Sequence, residues 1–116
     1  MEKLTIDCGM KQYKINGKGV LRFNPNDPNV YARFAAFLEN MPQPEGGLES
    51  FDRLLKEKLD QVFPGNDFHA VLDGVSLLAV ASNGQPVFAN LVQALLPVLE
   101  QGMAEYARQV ADRENG

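Results

Sequence analysis

The stretch Tyr13-Lys14-Ile15-Asn16-Gly17-Lys18-Gly19-Val20-Leu21-Arg22-Phe23-Asn24-Pro25-Asn26-Asp27-Pro28 decides the fold. Tyr13 and Ile15 alternate with Lys14, and Val20, Leu21 and Phe23 resume the apolar run beyond Asn16-Gly17. Asn-Gly between two such runs specifies a hairpin, because both residues tolerate the positive φ of a tight turn. Gly19 marks a bulge position. The second run meets Pro25, which disfavours helical geometry at Asn24. Asp27 then offers a carboxylate to the exposed amides of a helix start, with Pro28 in the first helical position, where its missing N–H costs nothing. A hairpin that feeds directly into a capped helix makes the chain α+β.

Upstream, Leu4 and Ile6 alternate with Lys3, Thr5 and Asp7, and Gly9 breaks the run, so residues 1–23 read as two or three short strands. So small a sheet must pack on something. Downstream, Val30, Tyr31, Phe34, Phe37, Leu38 and Met41 form one apolar stripe, giving a helix over 28–41. Four of the ten aromatics lie between Phe23 and Phe37, which makes this region the seed of the core. Two prolines and two glycines over 42–47 make a linker. A second helix spans 48–63. Its stripe is Leu48, Phe51, Leu54, Leu55, Leu59, Val62 and Phe63. Arg53, Lys56, Glu57, Lys58 and Asp60 fall on the opposite face, with Arg53–Glu57 and Lys56–Asp60 as helical pairs. A short helix over 67–72 follows a cap at Asn66 or Asp67. The apolar run 75–81 fits either a strand or a helical turn. The last helix covers 86–113, kinked at Pro97 and weakened at Gly102, with residues 112–116 frayed. The expected architecture is therefore a single mainly α domain over 1–116. A small N-terminal antiparallel sheet packs on three to four helices, the last long and kinked.

The 116 residues suffice for one modest core. No uninterrupted apolar run has the length of a membrane span, and residues 1–10 carry no apolar export segment, so the expectation is a cytoplasmic protein without membrane contact. One cysteine excludes an internal disulfide, and one His with one Cys leaves zinc chemistry little to work with. Charge is uneven. Residues 1–22 hold Lys3, Lys11, Lys14, Lys18 and Arg22 against Glu2 and Asp7, while the remainder holds six basic residues against thirteen acidic. An acidic body with no aromatic residues interleaved among the cations argues against nucleic acid. The lysines blunt a sheet edge instead.

Catalytic chemistry finds few candidates. His69 has Asp67 nearby and Asp73 at the i+4 position, a general-base pair on paper, but no nucleophile accompanies it. Ser76 lacks a nucleophile elbow. Cys8 has only Lys11 to lower its pKa and reads as a small residue at a strand end. Gly17-Lys18-Gly19 lacks the spacing of a phosphate loop, and Asn24, Asn26 and Asp27 lack the glycine and glutamate of a calcium loop. No catalytic, cofactor or metal residue is assigned. What remains is surface: Leu99, Met103, Tyr106 and Val110 form a stripe on the last helix that either finishes the core or grips a partner helix.

The phrase from Val20 to Tyr31 resembles the "F-N-P-x-D-x-N-x-x-x-R-F" opening of small proteins encoded in tail-morphogenesis clusters of phages and prophages of Gram-positive bacteria. Phe23, Asn24, Pro25, Asp27, Asn29, Arg33 and Phe34 stand at its positions. The middle of the chain, Phe63 to Gly74 and then Gly84-Gln85-Pro86-Val87-Phe88, is similar to the family's stretch before a long C-terminal helix. Pro64 and Leu91 depart from the pattern. The resemblance implies a non-enzymatic tail assembly chaperone. Such a protein binds and shields a helical tape-measure protein, needs no cofactor, and self-associates or engages other tail proteins in the cytoplasm of a bacterial host. The alternative implied is a structural virion component, a tail or connector subunit.

Overall fold

The computed structural model describes residues 1–115. In chain order it contains β1 (Lys11–Ile15), β2 (Gly19–Phe23), α1 (Pro28–Glu39), α2 (Leu48–Val62), α3 (Phe68–Val71) and α4 (Val87–Asn115). The fold is α+β and mainly α, a two-stranded antiparallel sheet with four helices.

The hairpin forms as its turn chemistry requires. Asn16 and Gly17 both take positive φ, 52° and 78°, and the Lys18 amide donates to the Ile15 carbonyl at 3.1 Å. Pairing runs from Lys11 opposite Phe23 to Ile15 opposite Gly19. On β2, Gly19, Leu21 and Phe23 are buried while Val20 and Arg22 are exposed, so one face enters the core. Gly19 is glycine for lack of space: a Cβ there would overlap the Val71 carbonyl of α3. Asp27 caps α1, accepting from the Asn29 amide at 2.9 Å, and Pro28 opens the helix. Asp67 caps α3 in the same way.

The core is one cluster that draws on β2, all four helices and Leu77. An aromatic chain runs through it. Tyr13 stacks on Phe23 with centroids 4.8 Å apart, Phe23 meets Phe63 at 5.0 Å, and Phe63 meets Phe68 at 5.7 Å and Phe34 at 6.0 Å. Leu91, Leu95 and Leu99 seat α4 on this cluster. Gly102, which the sequence marks as a weak point, is where α4 touches the loop before α1. Its Cα faces the Pro25 carbonyl so closely that a Cβ would overlap it, and Asn26 Nδ2 donates to the Gly102 carbonyl at 3.0 Å.

Several expectations are corrected. Residues 1–10 form no strand: Leu4 and Ile6 pair with nothing and are exposed, while the Asn24 side chain holds the chain at Cys8. Cys8 is accordingly in an exposed irregular segment and not at a strand end. The first helix stops at Glu39, where Asn40 caps it with its side chain on the Ala36 carbonyl. The second helix stops at Val62, and the last begins at Val87. The run 75–81 is neither strand nor helix. It turns at Leu77-Leu78 and ends in an isolated bridge between Val80 and Pro86. Lys56 does not face solvent or pair with Asp60. It is buried and bonds Asp52 at 3.1 Å, because the 75–81 segment crosses that side of α2. Arg53 pairs with Glu49 at 3.7 Å, not with Glu57. The helix continues through Pro97 to Asn115, past the start of the expected fray at residue 112; Gly116 lies outside the described residues.

Candidate functional site

The catalytic candidates do not assemble. His69 is exposed on α3 with its imidazole over Gly74. The Asp73 carboxylate turns instead to Lys18 Nζ at 3.3 Å, and that pair is itself exposed. His69 borders a cleft of about 350 Å³ shared with Glu49, Asp52, Arg53, Lys56, Glu57, Asp60 and Asp67. Two of its carboxylates already do structural work: Asp52 accepts from the Leu77 amide at 2.8 Å and Asp60 from the Phe68 amide at 2.7 Å. Burial pushes the Asp60 carboxyl above its ordinary range, the bond from Phe68 opposes this, and the charges of Asp67 and Glu57 add to it. Among the described residues no group of three or more His, Cys, Asp or Glu is placed to hold a metal ion.

The motif residues lie in the core, in the loop before α1 and along the first turns of α1. Phe23 and Phe34 are core. Asn24 bridges two segments, its Oδ1 accepting from the Asn26 amide at 2.9 Å and its Nδ2 donating to the Cys8 carbonyl at 3.0 Å. Pro25 is buried against α4. Asp27 and Asn29 make the helix cap. Arg33 Nε donates to the Val62 carbonyl at 3.0 Å, satisfying the end of α2, where carbonyls lack helical partners.

The C-terminal stripe divides. Leu99 is fully buried and belongs to the core, which corrects its assignment to a partner surface. Met103 and Val110 are half-buried and Tyr106 is exposed. The cause is length. At about 1.5 Å per residue, α4's 29 residues reach about 43 Å, and its last buried residue is Gly102. Past that point Met103, Tyr106 and Val110 recur at spacings of three and four beside Ala107 and Ala111, an apolar face with no body beneath it. Over its most apolar 18-residue window, mean hydropathy 1.2, only 17% of α4 is buried. That length and composition would also allow a membrane crossing.

The five N-terminal cations do not converge. Lys14 and Arg22 lie on the outer face of the hairpin, Lys11 on the inner, Lys18 in the turn with Asp73, and Lys3 in the exposed segment. Sequence reasoning anticipates an exposed hairpin edge bearing lysines but misses the groove beside β1. This groove, about 210 Å³, is lined by Lys11, Tyr13, Pro25, Val98, Gln101, Gly102 and Glu105. Gly102 was the one available signal, since a glycine inside a long helix often marks close approach.

No family model, curated protein or solved structure matches the chain.

Proposed function

We propose that this protein is a non-enzymatic, tail assembly chaperone-like binder that shields a long helical partner, of the tape-measure kind, through the free half of α4. The observation that carries the reading is that α4 runs on past its last buried residue, Gly102, with Met103, Tyr106 and Val110 spaced along one face. A helix with an apolar stripe and nothing under it stabilises little by itself and gains most by packing on another helix. Met103 supplies an adaptable side chain, and Tyr106 an aromatic one with a polar tip. Contacts this limited are individually weak, which suits a coat that must be displaced later. The seating of Leu91, Leu95 and Leu99 in the core supports a helix of a water-facing protein over a membrane span. The resemblance of the Phe23–Phe34 motif supplies the biological setting.

The test uses a long helical tape-measure protein of a phage tail. Its aggregation is followed by light scattering with and without the purified chain. Suppression is expected, and it should fail for the double variant Met103→Ser, Tyr106→Ser while circular dichroism stays unchanged. Equal suppression by that variant would refute the reading. Recovery of the chain in finished particles at fixed stoichiometry would favour a structural virion component instead.

A further inference from the structure

The two-stranded sheet has one closed edge and one open edge. On the β2 side, Asn66 closes it: the Arg22 amide donates to Asn66 Oδ1 at 2.9 Å, and Asn66 Nδ2 donates to the Arg22 carbonyl at 2.8 Å. Both polar backbone groups of Arg22 therefore point away from β1. In an antiparallel ladder, pairs that exchange hydrogen bonds alternate with pairs that do not. Gln12, opposite Arg22, thus belongs to a non-exchanging pair, and so does Lys14, opposite Val20. Their N–H and C=O groups point outward from β1, and among the described residues nothing bonds them. An edge left in this state is a template for another strand.

The inner side of that edge is unfinished as well. Tyr13 and Ile15 pack on the core but remain half-exposed, and Tyr13 lines the groove it shares with Pro25, Val98 and Gly102.

The same chain carries a segment with the matching pattern. Residues 3–7 alternate Lys3, Leu4, Thr5, Ile6, Asp7, yet Leu4 is 91% exposed and Ile6 75%. The segment cannot readily close on its own edge. Asn24 Nδ2 holds the Cys8 carbonyl, and Gly9 takes φ 68° against the Asn24 side chain. This clamp ties the chain at Cys8 and Gly9 to the residue that follows β2, and residues 3–7 stay unpaired.

We propose that residues 3–7 of a second copy of this chain add to β1 as a third, antiparallel strand. Setting Ile6 opposite Tyr13 puts Leu4 opposite Ile15, both pairs on the inner face toward the groove, and Thr5 opposite Lys14 on the outer face. In that register Thr5 and Asp7 direct their backbone groups at those of Lys14 and Gln12, the ones left open. Leu4 and Ile6 leave water, and Tyr13 and Ile15 gain the cover they lack. The proposal stands independently of any partner for α4.

Sedimentation equilibrium of the full chain in reducing buffer, so that Cys8 cannot cross-link, tests it. The chain is expected to self-associate with rising concentration, and the amides of Gln12 and Lys14 to gain protection from hydrogen exchange over the same range. The double variant Leu4→Asp, Ile6→Asp should weaken association roughly tenfold or more, since two apolar side chains no longer leave water. Thr5→Pro keeps the apolar residues but removes an edge donor, and should also weaken it. Both variants alter an unpacked segment, so their melting temperatures should match that of the parent chain at low concentration. Met103→Ser with Tyr106→Ser should leave self-association intact. A chain that stays monomeric at all accessible concentrations overturns the proposal. So does association that survives both N-terminal variants, or that is lost only in the α4 variant.

Discussion

Replacing Asp52 tests the least expected feature of the core. Lys56 Nζ lies 3.1 Å from Asp52 Oδ2, with the lysine side chain 7% exposed and the aspartate 17%. The other carboxylate oxygen of Asp52 accepts from the Leu77 amide at 2.8 Å. One side chain thus neutralises a buried cation and fastens the 75–81 segment across α2. Asp52→Ala leaves the cation unpaired, a loss of about 3–5 kcal/mol for a buried pair. It also strands the Leu77 N–H, about 1–3 kcal/mol if no water replaces the acceptor. The two costs overlap, because relaxation that lets water reach one group also reaches the other, so about 3–5 kcal/mol is expected in all. For a chain of this size, at about 4 °C per kcal/mol, that lowers Tm by about 12–20 °C. Asp52→Asn keeps the acceptor for Leu77 and removes only the charge. The difference between the two variants therefore reads the Leu77 bond. Lys56→Met removes the cation while conserving most of its volume, and the double variant Asp52→Asn, Lys56→Met should recover to within about 1 kcal/mol of the parent, since replacing a buried pair by groups of similar volume is often neutral. Urea denaturation of the four proteins completes a double-mutant cycle. If Asp52→Asn alone costs no more than the roughly 0–1 kcal/mol of a surface pair, Lys56 is solvated and the reasoning fails.

Three further outcomes follow from the packing. Gly102→Ala drives a Cβ into the Pro25 carbonyl and should destabilise by about 1–3 kcal/mol in urea denaturation, and an unchanged midpoint would show that α4 does not dock there. Phe34→Ala, at the end of the aromatic chain, should cost about 3–5 kcal/mol, enough to leave a marginal domain largely unfolded by circular dichroism, and an intact transition would move Phe34 out of the core. Asp60 binds its proton more tightly in the folded chain than in the unfolded one, chiefly through burial, so its ionised form opposes folding and that penalty is relieved as pH falls through its raised pKa. Asp60→Asn, which keeps an acceptor for the Phe68 amide, should therefore raise Tm at neutral pH and lose the advantage at acid pH where both proteins are uncharged at this site; equal Tm gains at both would refute the assignment.

Local chemistry was legible in the sequence and long-range placement was not. Asn16-Gly17, Asp27-Pro28 and Asp67 act within a few residues of themselves, so turn and caps appear where the sequence places them. Lys56 was assigned to solvent because helical periodicity reports which residues share a face and is silent on what lies over it. The cover is the 75–81 segment, an apolar run too short and irregular to assign, and Leu77 reaches Asp52 from 25 positions away. The stripe from Leu99 to Val110 has unbroken helical spacing, yet it is core at Leu99 and free at Tyr106, because the body ends near Gly102 while the helix goes on. Residues 3–7 show the converse: a strand pattern is a demand for a partner edge, and the folded chain does not meet it from within. In both segments the sequence specifies more apolar, regularly spaced surface than one copy of the body covers. Leu4, Ile6 and Tyr106 keep strand or helix spacing yet stay exposed in one copy, which is why both proposed contacts with a second molecule are built on them.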